Sequence, residues 1–145
     1  MNRWASALLA LAALAQPGAA QVPDPYATQL AQGLARQERL WAQEGYQRVD
    51  GPHAGGLPAG GAQRFSFLFH SGGEYRVVAV CDVDCRNIDL RLYDQMGNPI
   101  IADGAVGRAA TITSQPRWTG PFVVEVRITH CRAAPCYFAL NVYER

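Results

Sequence analysis

The chain contains no lysine. All 13 basic side chains are arginine, set against 12 Asp and Glu, for a formal charge of +1. So balanced a chain has no bulk field to draw nucleic acid or an anionic membrane surface. The exclusive use of arginine reads as a GC-rich coding bias rather than as selection for bidentate pairing. Past the N-terminus, no apolar run approaches the roughly 20 residues that a membrane span takes. No Gly-x-Ser-x-Gly elbow surrounds Ser66, Ser71 or Ser114, and no glycine-rich phosphate loop leads into a helix. The three histidines, His53, His70 and His130, adjoin no evident nucleophile, and no pair of acids is marked for glycoside cleavage. The expectation is a chain without catalytic residues, hence not an enzyme.

What is present begins with an export signal. Met1-Asn2-Arg3 carries one positive charge, Trp4 to Ala15 is an uncharged apolar run, and Gln16-Pro17-Gly18 breaks it ahead of Ala19-Ala20. These are the three parts of a secretory signal peptide, assigned to residues 1–20, and the run is too short for a membrane anchor. The first cysteine is Cys81, so no lipid-bearing cysteine adjoins the cleavage point. The expected product is residues 21–145, one domain, periplasmic or secreted, with no membrane anchor after cleavage. Losing Arg3 leaves it formally neutral.

Four cysteines in an exported chain read as two disulfides. Three connectivities are open, and the spacing favours Cys81 with Cys85 and Cys131 with Cys136. The rival is a zinc site with His130 beside the second pair, disfavoured because an oxidising compartment consumes free thiolates.

Residues 21–48 read as a helical segment. Asp24-Pro25 has the form of an N-cap followed by proline at the first helical position. Tyr26, Leu30, Leu34, Gln37 and Trp41 recur at helical spacing up to a stop at Gly45. The preferred reading packs this stripe on the domain's own sheet; the alternative is a helix that docks on a partner. After a short strand over Tyr46–Val49, residues 49–63 are dense in Gly and Pro and read as a linker. From Arg64 onward the period changes to two. Runs at 64–70, 75–80, 88–93, 100–101, 109–113, 122–128 and 137–143 are joined by Gly/Pro/Asn turns. Some seven short strands at close spacing predict a mainly β protein, an antiparallel β-sandwich over 64–145.

Several of these segments match a known pattern. They are Gly73-Glu74-Tyr75-Arg76-Val77, Asp89-Leu90-Arg91-Leu92-Tyr93-Asp94 with Gly97, Trp118 to Val126, and the closing Tyr137-Phe138-Ala139-Leu140-Asn141-Val142. In them the chain from Phe65 to its end resembles the bacterial pre-peptidase C-terminal (PPC) domain. The resemblance implies a jelly-roll-like sandwich used for export, maturation or binding. Relatives bind calcium and extracellular polymers such as collagen or polysaccharide, but their binding residues do not map onto this chain. The doubled cysteine loops and the absence of an upstream peptidase domain depart from the family pattern.

The candidate binding residues follow from chemistry. Asp82, Asp84 and Asp89 form the densest acidic group and are candidate calcium ligands, although the twelve-residue calcium loop is absent and Arg86 stands beside them. The alternative is a set of turn-capping carboxylates. Trp118 and Tyr93, with Tyr143, are candidates for stacking on a ligand. No cofactor is required, and calcium is the one candidate. The reading is an exported, non-catalytic β-sandwich that binds an extracellular polysaccharide or a protein, with no role in nucleic-acid binding. The alternatives are a small secreted hydrolase whose site is not readable from sequence, or an inhibitor that docks through its helix. Non-reducing proteolysis and mass spectrometry should recover Cys81 linked to Cys85 and Cys131 linked to Cys136; links crossing the two loops would refute the local pairing.

Overall fold

The computed structural model describes residues 22–145; the signal peptide assigned to residues 1–20 lies outside the described residues. One helix, α1 (Tyr26–Ala42), precedes eight strands. They are β1 (Gln47–Leu57), β2 (Ala62–Phe69), β3 (Tyr75–Cys81), β4 (Cys85–Tyr93), β5 (Pro99–Asp103), β6 (Ala109–Ser114), β7 (Gly120–Cys131) and β8 (Cys136–Glu144). β1 pairs with β8, β2 with β7, β3 with β6 and β4 with β5, all antiparallel. The chain is thus one long hairpin, open at its ends and rolled up. Cross-pairs β3–β8 and β4–β7 complete two four-stranded sheets, ordered β1-β8-β3-β6 and β2-β7-β4-β5. That is an eight-stranded jelly roll, as expected of a mainly β chain.

The core lies between the sheets. Phe67, Phe69, Ile88, Leu90, Leu92, Phe122, Val124, Val126 and Ile128 face Tyr75, Val77, Ala79, Phe138, Leu140 and Val142, all nearly or fully buried. Period two puts every second residue on the outside. In β3 and β8 several of those outside residues, Val78, Val80, Ala139 and Tyr143, are apolar as well, and α1 covers them. Leu30, Leu34 and Trp41 pack on Val78, Val80, Ala139 and Tyr143 in a second cluster outside the first sheet. Trp41 meets Tyr143 edge-on with ring centroids 5.1 Å apart. The helix starts at Tyr26 with Pro25, not Asp24, in the capping position and no side-chain cap.

The preferred reading of the helical stripe, packing on the domain's own sheet, holds; the docking alternative and the expected linker are corrected. The helical stripe is consumed inside the molecule, with Leu30, Leu34 and Trp41 at 3%, 6% and 7% exposure, so this stripe is not free to dock on a partner. Nor are residues 49–63 a linker: most of them, 49–57, form the greater part of β1, paired along β8 as far as Leu57. Its glycines are there for contact with β8. Gly51 sits at φ 106°, where a Cβ would lie 2.4 Å from Asn141 Oδ1, and a Cβ on Gly55 would lie 2.9 Å from the Phe138 ring. At Gly51 only glycine admits both the left-handed backbone and that approach.

Both disulfides form as expected, Cys81–Cys85 across the β3–β4 turn and Cys131–Cys136 across the β7–β8 turn. No cysteine is left free. Two closed disulfides mark a chain that lives in an oxidising compartment, periplasmic or outside the cell. No helix among the described residues is long and apolar enough to cross a membrane.

Leu34→Ala should cost about 3 kcal/mol in urea unfolding, the usual effect of emptying a buried leucine site. Leu40→Ala, on the exposed side of the same helix, should stay within about 0.5 kcal/mol. Equal effects at the two positions would contradict the packing of α1 on the sheet.

Candidate functional site

The first sheet spends its outer face on α1. Among the described residues, no element covers the outer face of the second sheet. Antiparallel pairing aligns the outward residues of β2, β7 and β4 in rows: Arg64, Glu125 and Arg91 in one, Ser66, Val123 and Tyr93 in the next, with Arg127 and Asp89 opposite each other on the other side. Leu68 is 61% exposed and Ile100, in β5, is 40% exposed. Tyr93, Arg91, Ile100 and Ala102 line a shallow depression of about 410 Å³.

Glu125 anchors this face. It interrupts the run Val123-Val124-Glu125-Val126 and points outward, yet it is 3% exposed because arginines cover it. Arg64 Nε donates to its Oε2 at 3.0 Å and Arg127 to its Oε1 at 3.2 Å. Arg127 also donates to the Gly60 carbonyl at 3.1 Å. The Arg64 guanidinium lies 4.9 Å over the Tyr93 ring, a cation–π contact. Burial would raise the Glu125 carboxyl, but Arg64 and Arg127 outweigh it and hold the group below its ordinary value. The face therefore presents guanidiniums, fixed on a buried carboxylate and an aromatic ring, within an apolar border.

The acidic candidates do not assemble into a calcium site. Asp82 is 1% exposed. Its Oδ1 accepts the backbone N–H groups of Asp84 at 3.0 Å and Cys85 at 3.1 Å, and its Oδ2 that of Tyr137 at 2.8 Å. Asp84 accepts from the Tyr26 hydroxyl at 3.1 Å and from Arg132 at 3.0 Å, and these bonds, Arg132's first, lower its carboxyl pKa. Asp89 lies apart on the open sheet face and accepts from Asn87 Nδ2. Among the described residues no three His, Cys, Asp or Glu side chains gather to hold a metal. Asp82 and Asp84 instead fasten the start of α1 and both cystine turns to one another.

The aromatic candidates separate. Tyr93 lies on the open face with Arg64 over one side of its ring. Trp118 sits at the end of the sandwich, 44% exposed, stacked on Phe122 with centroids 5.4 Å apart. Tyr143 is fully buried under α1, not available to a ligand; burial first, and then the Glu38 carboxylate that its hydroxyl donates to, raise its pKa to about 12. Of the histidines, His53 reaches a carboxylate, Asp50, at 2.7 Å. Its ring rests against Phe65 and Phe67, and no hydroxyl hydrogen-bonds it among the described residues. Sequence reading missed Glu125, Arg64, Arg91 and Arg127 as a group. The one signal was a lone acid inside an apolar strand.

No family model matches the chain, and no curated protein matches it. Among solved structures the chain is similar in fold to PliG of Aeromonas hydrophila, a periplasmic lysozyme inhibitor of g-type lysozyme. That match has 12% identity over 68% of this chain and 92% of that one, with a TM-score of 0.48. It is also similar to the pre-peptidase C-terminal domain of a collagenase from Bacillus anthracis, with 18% identity over 65% of this chain and 89% of that one and a TM-score of 0.46. The second belongs to the family that the strand motifs resemble. Both likenesses are of fold alone.

Because the Glu125 carboxyl titrates lower folded than its ordinary 4.5, its contribution to stability is complete above that value and is lost as pH falls through the lower folded one. Glu125→Gln should therefore lower the melting midpoint at neutral pH and flatten the acid side of the midpoint-against-pH curve. An acid limb identical to that of the unsubstituted chain would show that Glu125 is not coupled to the arginines.

Proposed function

We propose that the protein is an exported, non-catalytic module that binds another protein through the outer face of its second sheet. One observation carries this reading. α1 closes the outer face of the first sheet, whereas the equivalent face of the second is uncovered among the described residues and holds a preset cluster of arginines with apolar neighbours. Exposed leucine and isoleucine with a half-buried tyrosine around fixed guanidiniums is the composition of a protein-binding surface rather than of a merely solvated one. Arg64 and Arg127 already have their stems ordered by Glu125 and Tyr93, so less side-chain freedom is lost when a partner binds.

Guanidinium groups select carboxylates, so the partner surface that fits is acidic with apolar residues beside the acids. Glu125 is already covered, and what the face offers outward is the remaining donors of Arg64, Arg91 and Arg127. A sugar-binding reading draws less support, because the ring of Tyr93 is overlaid by Arg64 and Trp118 lies off the face.

A photo-crosslinking residue placed at Arg91 in the exporting host should give one discrete protein adduct, identifiable by mass spectrometry and weakened by Arg64→Glu or by high salt. The same probe at Arg36, on the outside of α1, should give none. Equal adducts from both positions, or an adduct at Arg91 indifferent to Arg64→Glu, would contradict the proposal.

A further inference from the structure

The sandwich has four edge strands, and three of them are guarded against pairing with another strand. β1 carries Pro52 and two register shifts. β5 is five residues long, begins at Pro99 and has a register shift against β4. In β6 the Thr111 N–H is taken by Asp103 Oδ2 at 2.7 Å. β2 differs: eight residues in unbroken register with β7, no proline, and one charge, Arg64, already bound to Glu125. Natural sheets blunt exposed edges with short strands, bulges, proline or free charge; β2 has none of these.

Which backbone groups of β2 face outward follows from one residue. Leu68 lies opposite Pro121, which has no N–H, so that pair cannot be a hydrogen-bonded one. Alternation then gives the β7 ladder to Gln63, Phe65, Phe67 and Phe69. The N–H and C=O groups of Arg64, Ser66 and Leu68 point away from the sheet. The Ile128 N–H bonding to the Gly61 carbonyl at 3.1 Å fits the same parity.

We propose that β2 is a dimerisation edge and that its occupant is β2 of a second copy, antiparallel about a two-fold axis at Ser66. The parity permits it: Ser66 meets Ser66 of the partner subunit, and Arg64 meets Leu68 of the partner subunit, with about six backbone hydrogen bonds between them. Charge selects this pairing over an axis at Arg64, which would set like charges face to face. The arrangement covers Leu68, 61% exposed in the single chain, with the apolar stem of an arginine. The two second sheets become one eight-stranded sheet, and two copies of the arginine face lie side by side on it. The dimer does not depend on what that face binds.

Two measurements test it. Sedimentation from low micromolar to near-millimolar concentration should show a monomer–dimer equilibrium. Across the same range the amides of Arg64, Ser66 and Leu68 should gain protection from hydrogen exchange, while those of Phe65 and Phe67 stay protected throughout. Ser66→Pro removes an outward N–H that β7 does not use, so it should fold, melt at a concentration-independent midpoint and sediment at half the mass. Leu68→Arg, which sets an arginine against Arg64 of the partner subunit, should do the same without touching the backbone. A chain that remains monomeric throughout, protection that appears only when another protein is added, or a dimer that survives both substitutions overturns the proposal.

Discussion

A two-layer sandwich has two outer faces, and one helix can cover only one of them. That constraint organises the molecule. Period-two strands must bury one face against the opposing sheet, and the choice left to the sequence is what to write on the other. β3 and β8 carry Val78, Val80, Ala139 and Tyr143 outward, and α1 supplies Leu30, Leu34 and Trp41 to meet them. β2, β4 and β7 carry Arg64, Arg91, Glu125 and Arg127 outward, with no further element among the described residues laid over them. The asymmetry between a sealed face and an open one is the structural basis for the binding function proposed.

Holding the helix in place falls to polar contacts as well as to burial. At one end, Asp82 gathers the N–H groups of two strands and Asp84 binds Tyr26 and Arg132, so that α1 and both cystine turns form one unit. At the other end, Arg76 lies 4.3 Å over Tyr46 and 5.4 Å from Trp41, and pairs with Glu44 at 2.8 Å. Tyr46 in turn donates to Glu74. Asp82 and Asp84, two of the three acids that resemble a metal site in sequence, are therefore fasteners.

Much of the fold was legible because burial writes a period. Seven strands, the helix and the local cysteine pairs are visible in alternation, in helical spacing and in loop length. Of the eighth, β1, only the start was, in the short strand expected over Tyr46–Val49. Gly51, Pro52, Gly55 and Gly56 spell a linker to any local reading, and their reason, the close approach to Asn141, Tyr137 and Phe138, exists only once β1 lies on β8. The site was illegible for a related cause. Arg64, Arg91 and Arg127 occupy outward positions of three different strands, and only the pairing order β2-β7-β4 gathers them. Tyr143 shows the converse: an aromatic at an apparently outward position near the chain's end, buried because a helix far away in sequence returns to cover it.

The claim on which the rest stands is that one outer face is sealed and the other is open. Hydroxyl-radical footprinting of the native protein tests it most directly, since side-chain oxidation follows solvent access. At a concentration where the chain is monomeric, the account predicts fast labelling at Leu68 and Ile100 and slow labelling at Leu30, Leu34 and Trp41. Fast labelling of the helix residues, at rates matching Leu68, would show that α1 does not rest on the first sheet and would contradict the account.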